Sequence, residues 1–368
     1  MVDRSAGYPV SPGGHTLIDI RGPAARRPLA ARPAHAVPVR DTRLPRPGPA
    51  PVPVRRAPGP PAGAASRRTV AGMAVGTPAV PGLDTVRRRL GAELFARVAG
   101  PRGAATRSRI HDTPGPRWFG PDRPIREVHG DASMFVGGLR ALLLQSLHPL
   151  AMAAVAAHSG YRGDPWGRLQ RTSTFLAVTT FGTAEDAERA VGRVRAVHRR
   201  VRGTTPEGEE YAASDPHLLG WVHVAEVDSF LRAHRRYGAR PLDDAGYDGY
   251  VADAARVAAA LGVRDPPTDQ AALAARLDGY RAELRATPQA REAARFLLRH
   301  PPLPWAARPP YGVLAASAVA LLPRWARDPL RLPYLPVVEG TAVRLAGHGL
   351  TRTIRWVMAP PPPPPPDR

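Results

Sequence analysis

Two Asp-Pro pairs constrain this chain more than any other feature. Asp164-Pro165 and Asp215-Pro216 each place a capping acid before a proline whose fixed φ suits the first helical turn. Long runs with apolar residues at helical spacing follow each pair, to about Thr180 in the first case and to Gly238 in the second. Thr183 and Asp186 form a variant of the capping box and launch a third helix, which the pattern ends at Gly203. A chain that restarts helices this way folds by packing amphipathic helices.

The remaining pattern agrees. A helix opens near Asp84, and 111–131 reads as a loop from its Gly, Pro and Asp content. A helix over 132–157 is expected to kink or split at Pro149. Further helices are expected at 244–261, 268–285, 288–299, 312–322 and 336–346. No alternating β-branched run is long enough to build a sheet. No Gly-rich turn follows a strand, so a nucleotide-binding fold is not expected. The expectation is an all-α chain with one helical domain over 82–358.

The ends differ in kind. Residues 1–81 are expected to be a disordered Pro/Arg-rich segment, because 15 prolines fall within the first 80 positions and no periodic apolar run offsets the ordering entropy. Residues 359–368 read as a short polyproline tail. Met73 is an alternative start. The formal charge of +21 suggests nucleic acid at first sight. The first 80 residues, however, hold 12 arginines against three acids, and the chain has no lysine. This looks like coding bias, and no base-stacking aromatics interleave with the basic residues, so no specific nucleic-acid partner is expected.

There is no cysteine, which excludes disulfides, Fe–S clusters, thiolate-ligated haem and cysteine nucleophiles. The apolar stretch 135–157 is interrupted by Arg140, Gln145, His148 and Pro149, and 312–322 is too short to span a bilayer. Both read as buried helices. A cytoplasmic protein without a transmembrane segment is expected, at most resting on a membrane surface.

His198 is the residue that points to chemistry. It shares an apolar stripe with Ala187, Val191, Val194 and Val201 on the third helix. An inward imidazole there is either a satisfied core histidine or a ligand. On the preceding helix Arg168 and Thr172 stand four residues apart on one face, with Arg171 beside them. Polar groups opposite an imidazole suit a haem pocket, with His198 on the iron. The competing reading has these residues reaching solvent or backbone. His223 and Glu226, three apart, could form half of a dinuclear metal site, but the second half is missing.

The run REVHGDASMFVGGLRALLLQSLHPLAMAAVAAHSGYRGDPWGRLQRTSTFLAVTTFG, followed by VHRRVRG, EYAASDPHLLGWVHVAEVDSFL and RYG, resembles the DUF2236 family over about 120–350. That family includes mpaB-type oxygenases and latex-clearing rubber oxygenases. The resemblance implies a globin-like helical core, haem b as cofactor and His198 as iron ligand. It also implies a distal pattern R-x-x-K-T, read here as Arg168 to Thr172 with Arg171 in place of lysine. Dioxygen and a hydrophobic small molecule or polymer would be the substrates, with a redox partner where electrons are needed. Rubber oxygenases carry a distal glutamate on the preceding helix, whereas HPLAMAAVAAHS has no acid. His148 or His158 could accept a proton instead, against a structural role for both. A haem-dependent oxygenase is the leading expectation. The alternative is a non-enzymatic haem-binding or oxygen-sensing protein.

Overall fold

A computed structural model describes residues 82–160 and 163–359. The expectations for 1–81 and for 360–368 lie outside the described residues. Within them the protein is predominantly helical, with one two-stranded sheet. The helices in chain order are α1 (Leu83–Ala99), α2 (Gly103–Asp112), α3 (Pro124–Gly130), α4 (Met134–Gln145), α5 (Pro149–His158), α6 (Pro165–Phe181) and α7 (Ala184–Arg200). After the hairpin β1 (Arg202–Thr204) and β2 (Glu210–Ala212) come α8 (Pro216–Tyr237), α9 (Asp244–Leu261), α10 (Gln270–Gly279), α11 (Pro288–Arg299), α12 (Arg308–Ala320) and α13 (Arg324–Leu330). The chain closes on one turn, α14 (Pro336–Val338), a π-helical segment Glu339–Val343 and α15 (Arg344–Met358).

The caps act as the sequence implies. Asp164 accepts from the Gly167 N–H, Thr183 from Asp186 and Asp215 from His217. Pro149 splits the expected long helix, and α4 and α5 diverge by 108°. Three expectations change. The loop at 111–131 contains α3, which starts on Pro124 and is too short to show a period. The α7 helix ends at Arg200, because Val201 turns extended and its carbonyl accepts from Ala213 N–H as the hairpin begins. Gly203, expected as a helix stop, sits instead on β1 opposite Tyr211, where a Cβ would lie 2.5 Å from the tyrosine hydroxyl. The last helix also runs past 346, to Met358.

The α4 and α8 helices make the most extensive helix pair and carry the centre of the core. Trp221, Leu143, Leu144 and Leu147 are buried there with Tyr247 and Tyr250 of α9. Gly137 makes the approach possible: a Cβ would stand 2.7 Å from the Phe230 ring and 3.1 Å from its Cα. One charged pair lies inside this contact. Arg140 is fully buried and meets Asp228 Oδ2 at 2.7 Å and Ser229 Oγ at 2.6 Å, while its Nε–H donates to the Leu321 carbonyl. This pairing explains an arginine in an apolar helix, since an unpaired buried guanidinium is prohibitively costly. The terminal helix is anchored through Arg355, which grips both carboxylate oxygens of Asp131 at 2.8 and 2.9 Å.

Candidate functional site

The α6 and α7 helices pack side by side, and α7 also leans on α9. The stripe read from the sequence is present but unevenly closed. Ala187 and Val191 are buried, while Val194, His198 and Val201 toward the C-terminal end are only half-buried. His198 lies in the last turn of α7. Its Nδ1 is buried and has no hydrogen-bond partner among the described residues. Burial lowers its pKa, so the ring is neutral at pH 7.

The residues expected opposite it lie on the first two turns of α6. Arg168 is half-buried and donates from Nη1 to Ser159 Oγ at 2.7 Å, at the end of α5. Arg171 is exposed and reaches Asp164 Oδ2 at 3.3 Å. Thr172 is exposed. The arrangement therefore joins Arg168 to the α5–α6 connection and leaves Arg171 and Thr172 on the open side of α6.

A histidine that ligates haem iron must be neutral and must keep one ring nitrogen free of partners in the chain. His198 meets both conditions, and the half-buried apolar stripe beside it suits a porphyrin face. The residues present fit the group.

His158, weighed as a proton acceptor, is exposed and shares a 3.2 Å hydrogen bond with the Tyr211 hydroxyl. His148 is buried at the N-cap of α5 but makes no capping bond. Its ring stands 6.1 Å from that of Trp221.

The His223–Glu226 pair, weighed from the sequence as half of a dinuclear metal site, lies half-buried on α8. Glu226 of α8 has no hydrogen bond or ion pair among the described residues, and burial pushes its carboxyl up to about 7. His223, one turn earlier, has a buried Nε2 without a partner, and burial, helped by the charge of Arg276, lowers its pKa to about 4. On α3, His129 meets Thr180 Oγ1 at 2.8 Å and the Tyr250 hydroxyl at 3.4 Å. Burial, with a smaller contribution from His234, lowers His129 to about 3. The i,i+3 spacing of His223 and Glu226 was the available signal. Their burial was not readable from one amphipathic helix.

The catalytic-domain family described as ER-bound oxygenase mpaB/B′/rubber oxygenase matches residues 126–356. This chain belongs to that family. The match runs from α3 almost to the end of α15 and includes every residue discussed above. Two curated relatives, uncharacterized proteins of Mycobacterium bovis and Mycobacterium tuberculosis, are each 39% identical over 100 residues, 27% of this chain. The aligned part spans 38% of those relatives' length. No solved structure matches.

The family description agrees with the expected oxygenase class and overturns the expected localisation. Its members are described as ER-bound, so the cytoplasmic expectation is corrected to a membrane-associated family setting. That expectation dismissed 135–157 because polar residues interrupt it. Yet Arg140 is neutralised by Asp228, and α4 with α5 together carry the length and apolarity of a bent span. No single helix among the described residues is long and apolar enough to cross a membrane.

Proposed function

We propose that this protein is a haem b-dependent oxygenase that acts on a hydrophobic organic substrate, with His198 as the iron ligand. The observation that carries the reading is the unpartnered, neutral His198 within a chain of the oxygenase catalytic-domain family. Haem b would supply the redox-active iron that activates dioxygen. His198 would hold it by one ring nitrogen, positioned by α7 and its packing on α6 and α9. Arg168, held by Ser159, presents a guanidinium that can orient a carboxylate or a polarised oxygen atom. Arg171 and Thr172 would add a second cation and a hydroxyl donor on the same helix. A globin-like arrangement of the helices around the cofactor belongs to this proposal.

HPLAMAAVAAHS has no acid, and Glu226 of α8 is a second acid–base candidate. A carboxyl held near 7 can both give and take a proton at neutral pH. Dioxygen is a co-substrate under this proposal, and a separate electron donor is needed only if the reaction consumes electrons.

The test is haem stoichiometry and oxygen uptake. Full-length protein expressed with a haem precursor should carry about one haem by pyridine haemochromogen, and His198→Ala should retain less than a tenth of it. Oxygen consumption with a panel of apolar alkenes should depend on the loaded protein. Equal haem content and an unchanged Soret band in His198→Ala would remove that residue from the role.

A further inference from the structure

A second cluster of ligand-type side chains lies away from α6 and α7. His148, at the start of α5, His217, in the first turn of α8, and Glu283, in the short 3₁₀ turn Arg281–Glu283, converge. One ligand atom from each lies within 4.8 Å of the others. Glu283 Oε2 is the shared point, 2.8 Å from His217 Nε2 and 3.4 Å from His148 Nε2.

The surroundings hold these groups in place. Tyr280 packs against the His217 ring at 4.7 Å and donates its hydroxyl to the His217 carbonyl at 2.8 Å. The Arg285 N–H donates to the Leu147 carbonyl at 2.9 Å, which ties the segment after Glu283 to the residue before His148. Trp221 and Tyr280 close over the His148 ring. His148 is only 3% exposed, and apart from the 3.4 Å approach of Glu283 to Nε2 its ring nitrogens have no partner among the described residues. Buried polar atoms are nearly always paired, so a buried ring with an unpartnered Nδ1 leaves room for a ligand outside the chain.

We propose that His148, His217 and Glu283 form a binding site for a divalent transition-metal ion of the zinc class, separate from the haem. Two imidazoles and one carboxylate are a zinc donor set that leaves a fourth position to water. Imidazole donors disfavour calcium and magnesium, which take oxygen. Zinc–nitrogen and zinc–oxygen bonds of about 2.0–2.2 Å require the donor atoms to close around the ion. The His217 and Glu283 side chains are exposed and can shift by that amount while Tyr280 keeps the His217 backbone in place. The Glu283 carboxylate offsets the two helix N-termini, which alone would favour an anion. Nearby Arg285 is partly neutralised by Glu209 at 3.5 Å.

The test uses full-length, haem-loaded protein stripped with a chelator and titrated with zinc and then with cobalt(II). Haem content is measured separately, so loss of the haem reading and loss of this site are told apart. Wild type should take up one zinc per chain beyond its haem iron, with a rise in melting temperature and visible cobalt(II) bands. Glu283→Gln and His217→Ala lie at exposed positions and should keep the helical content. Each should weaken zinc binding at least tenfold with haem content unchanged. No stoichiometric uptake by wild type, or unchanged uptake in both variants, would overturn the site and leave a His217–Glu283 ion pair packed beside His148.

Discussion

The α4–α8 pair and the α6–α7 pair both bury polar groups among apolar ones, and they treat them in opposite ways. Between α4 and α8 the chain closes its own account: Arg140 meets Asp228, Ser229 and a backbone carbonyl, and nothing there asks for a ligand. On α7 the His198 imidazole keeps a buried Nδ1 with no partner, on a stripe left half-open. Buried polar groups are nearly always satisfied in a native protein. A satisfied buried charge is therefore structural, and an unsatisfied buried imidazole in the same fold marks a place for something the chain does not supply.

Removing one partner from each region gives the sharpest contrast. Arg140→Ala should cost about 3–5 kcal/mol, since it strands the Asp228 carboxylate in the core. The denaturation midpoint of the haem-free protein reads this directly. His198→Ala in the same haem-free protein should leave the midpoint unchanged or raise it, because it deletes an unpaired nitrogen. If His198→Ala destabilises the haem-free protein as strongly as Arg140→Ala does, His198 is an ordinary core residue and the contrast fails.

The next largest effect is on pH dependence, and it comes from α8 itself. The folded pKa of Glu226 is raised to about 7, above the roughly 4.3 of an unfolded glutamate. Between these values the folded state holds a proton the unfolded state has lost, so stability falls as pH rises through this window. The contribution is on the order of 3 kcal/mol. His129 and His223 pull the other way, because their folded pKa values of about 3 and about 4 lie below the usual 6.5. Their cost is absent above pH 6.5 and grows as pH falls. Glu226→Gln should remove only the first slope, raising stability at pH 7.5 relative to pH 5. Parallel stability–pH curves for the variant and wild type would place Glu226 in a solvated setting.

What the sequence made legible follows the same division. The caps at Asp164, Thr183 and Asp215 are local, so the residues that make them could be read one helix at a time. The split at Pro149 is local for the same reason. The hairpin after Arg200 was not legible, because Val201 leaves the helix to pair with Ala213, twelve residues on. Nor was the destination of Arg140, whose partner is 88 positions away. The half-buried position of His198 was legible because an apolar stripe reveals an inward side chain. The meeting of His148, His217 and Glu283 was hidden because it joins three elements that share no periodicity.

The smallest expected effect tests the open side of α6. Arg171 and Thr172 are exposed, and the Arg171–Asp164 contact at 3.3 Å is a solvent-screened ion pair. Such a pair contributes about 0–1 kcal/mol, and surface substitutions are usually within about 0.5 kcal/mol. Arg171→Ala and Thr172→Ala should therefore leave the melting temperature of haem-free protein almost unmoved. Arg168→Ala should cost slightly more, because it gives up the bond to Ser159. In loaded protein the order should reverse in meaning. A residue that faces the cofactor shifts carbon monoxide affinity or the autoxidation rate without changing stability, whereas a surface residue shifts neither. A change of threefold or more in those readouts for Arg168→Ala or Thr172→Ala would put α6 on the polar side of the pocket. If all three variants match wild type in both readouts, α6 is a supporting helix and contributes no polar group to the pocket.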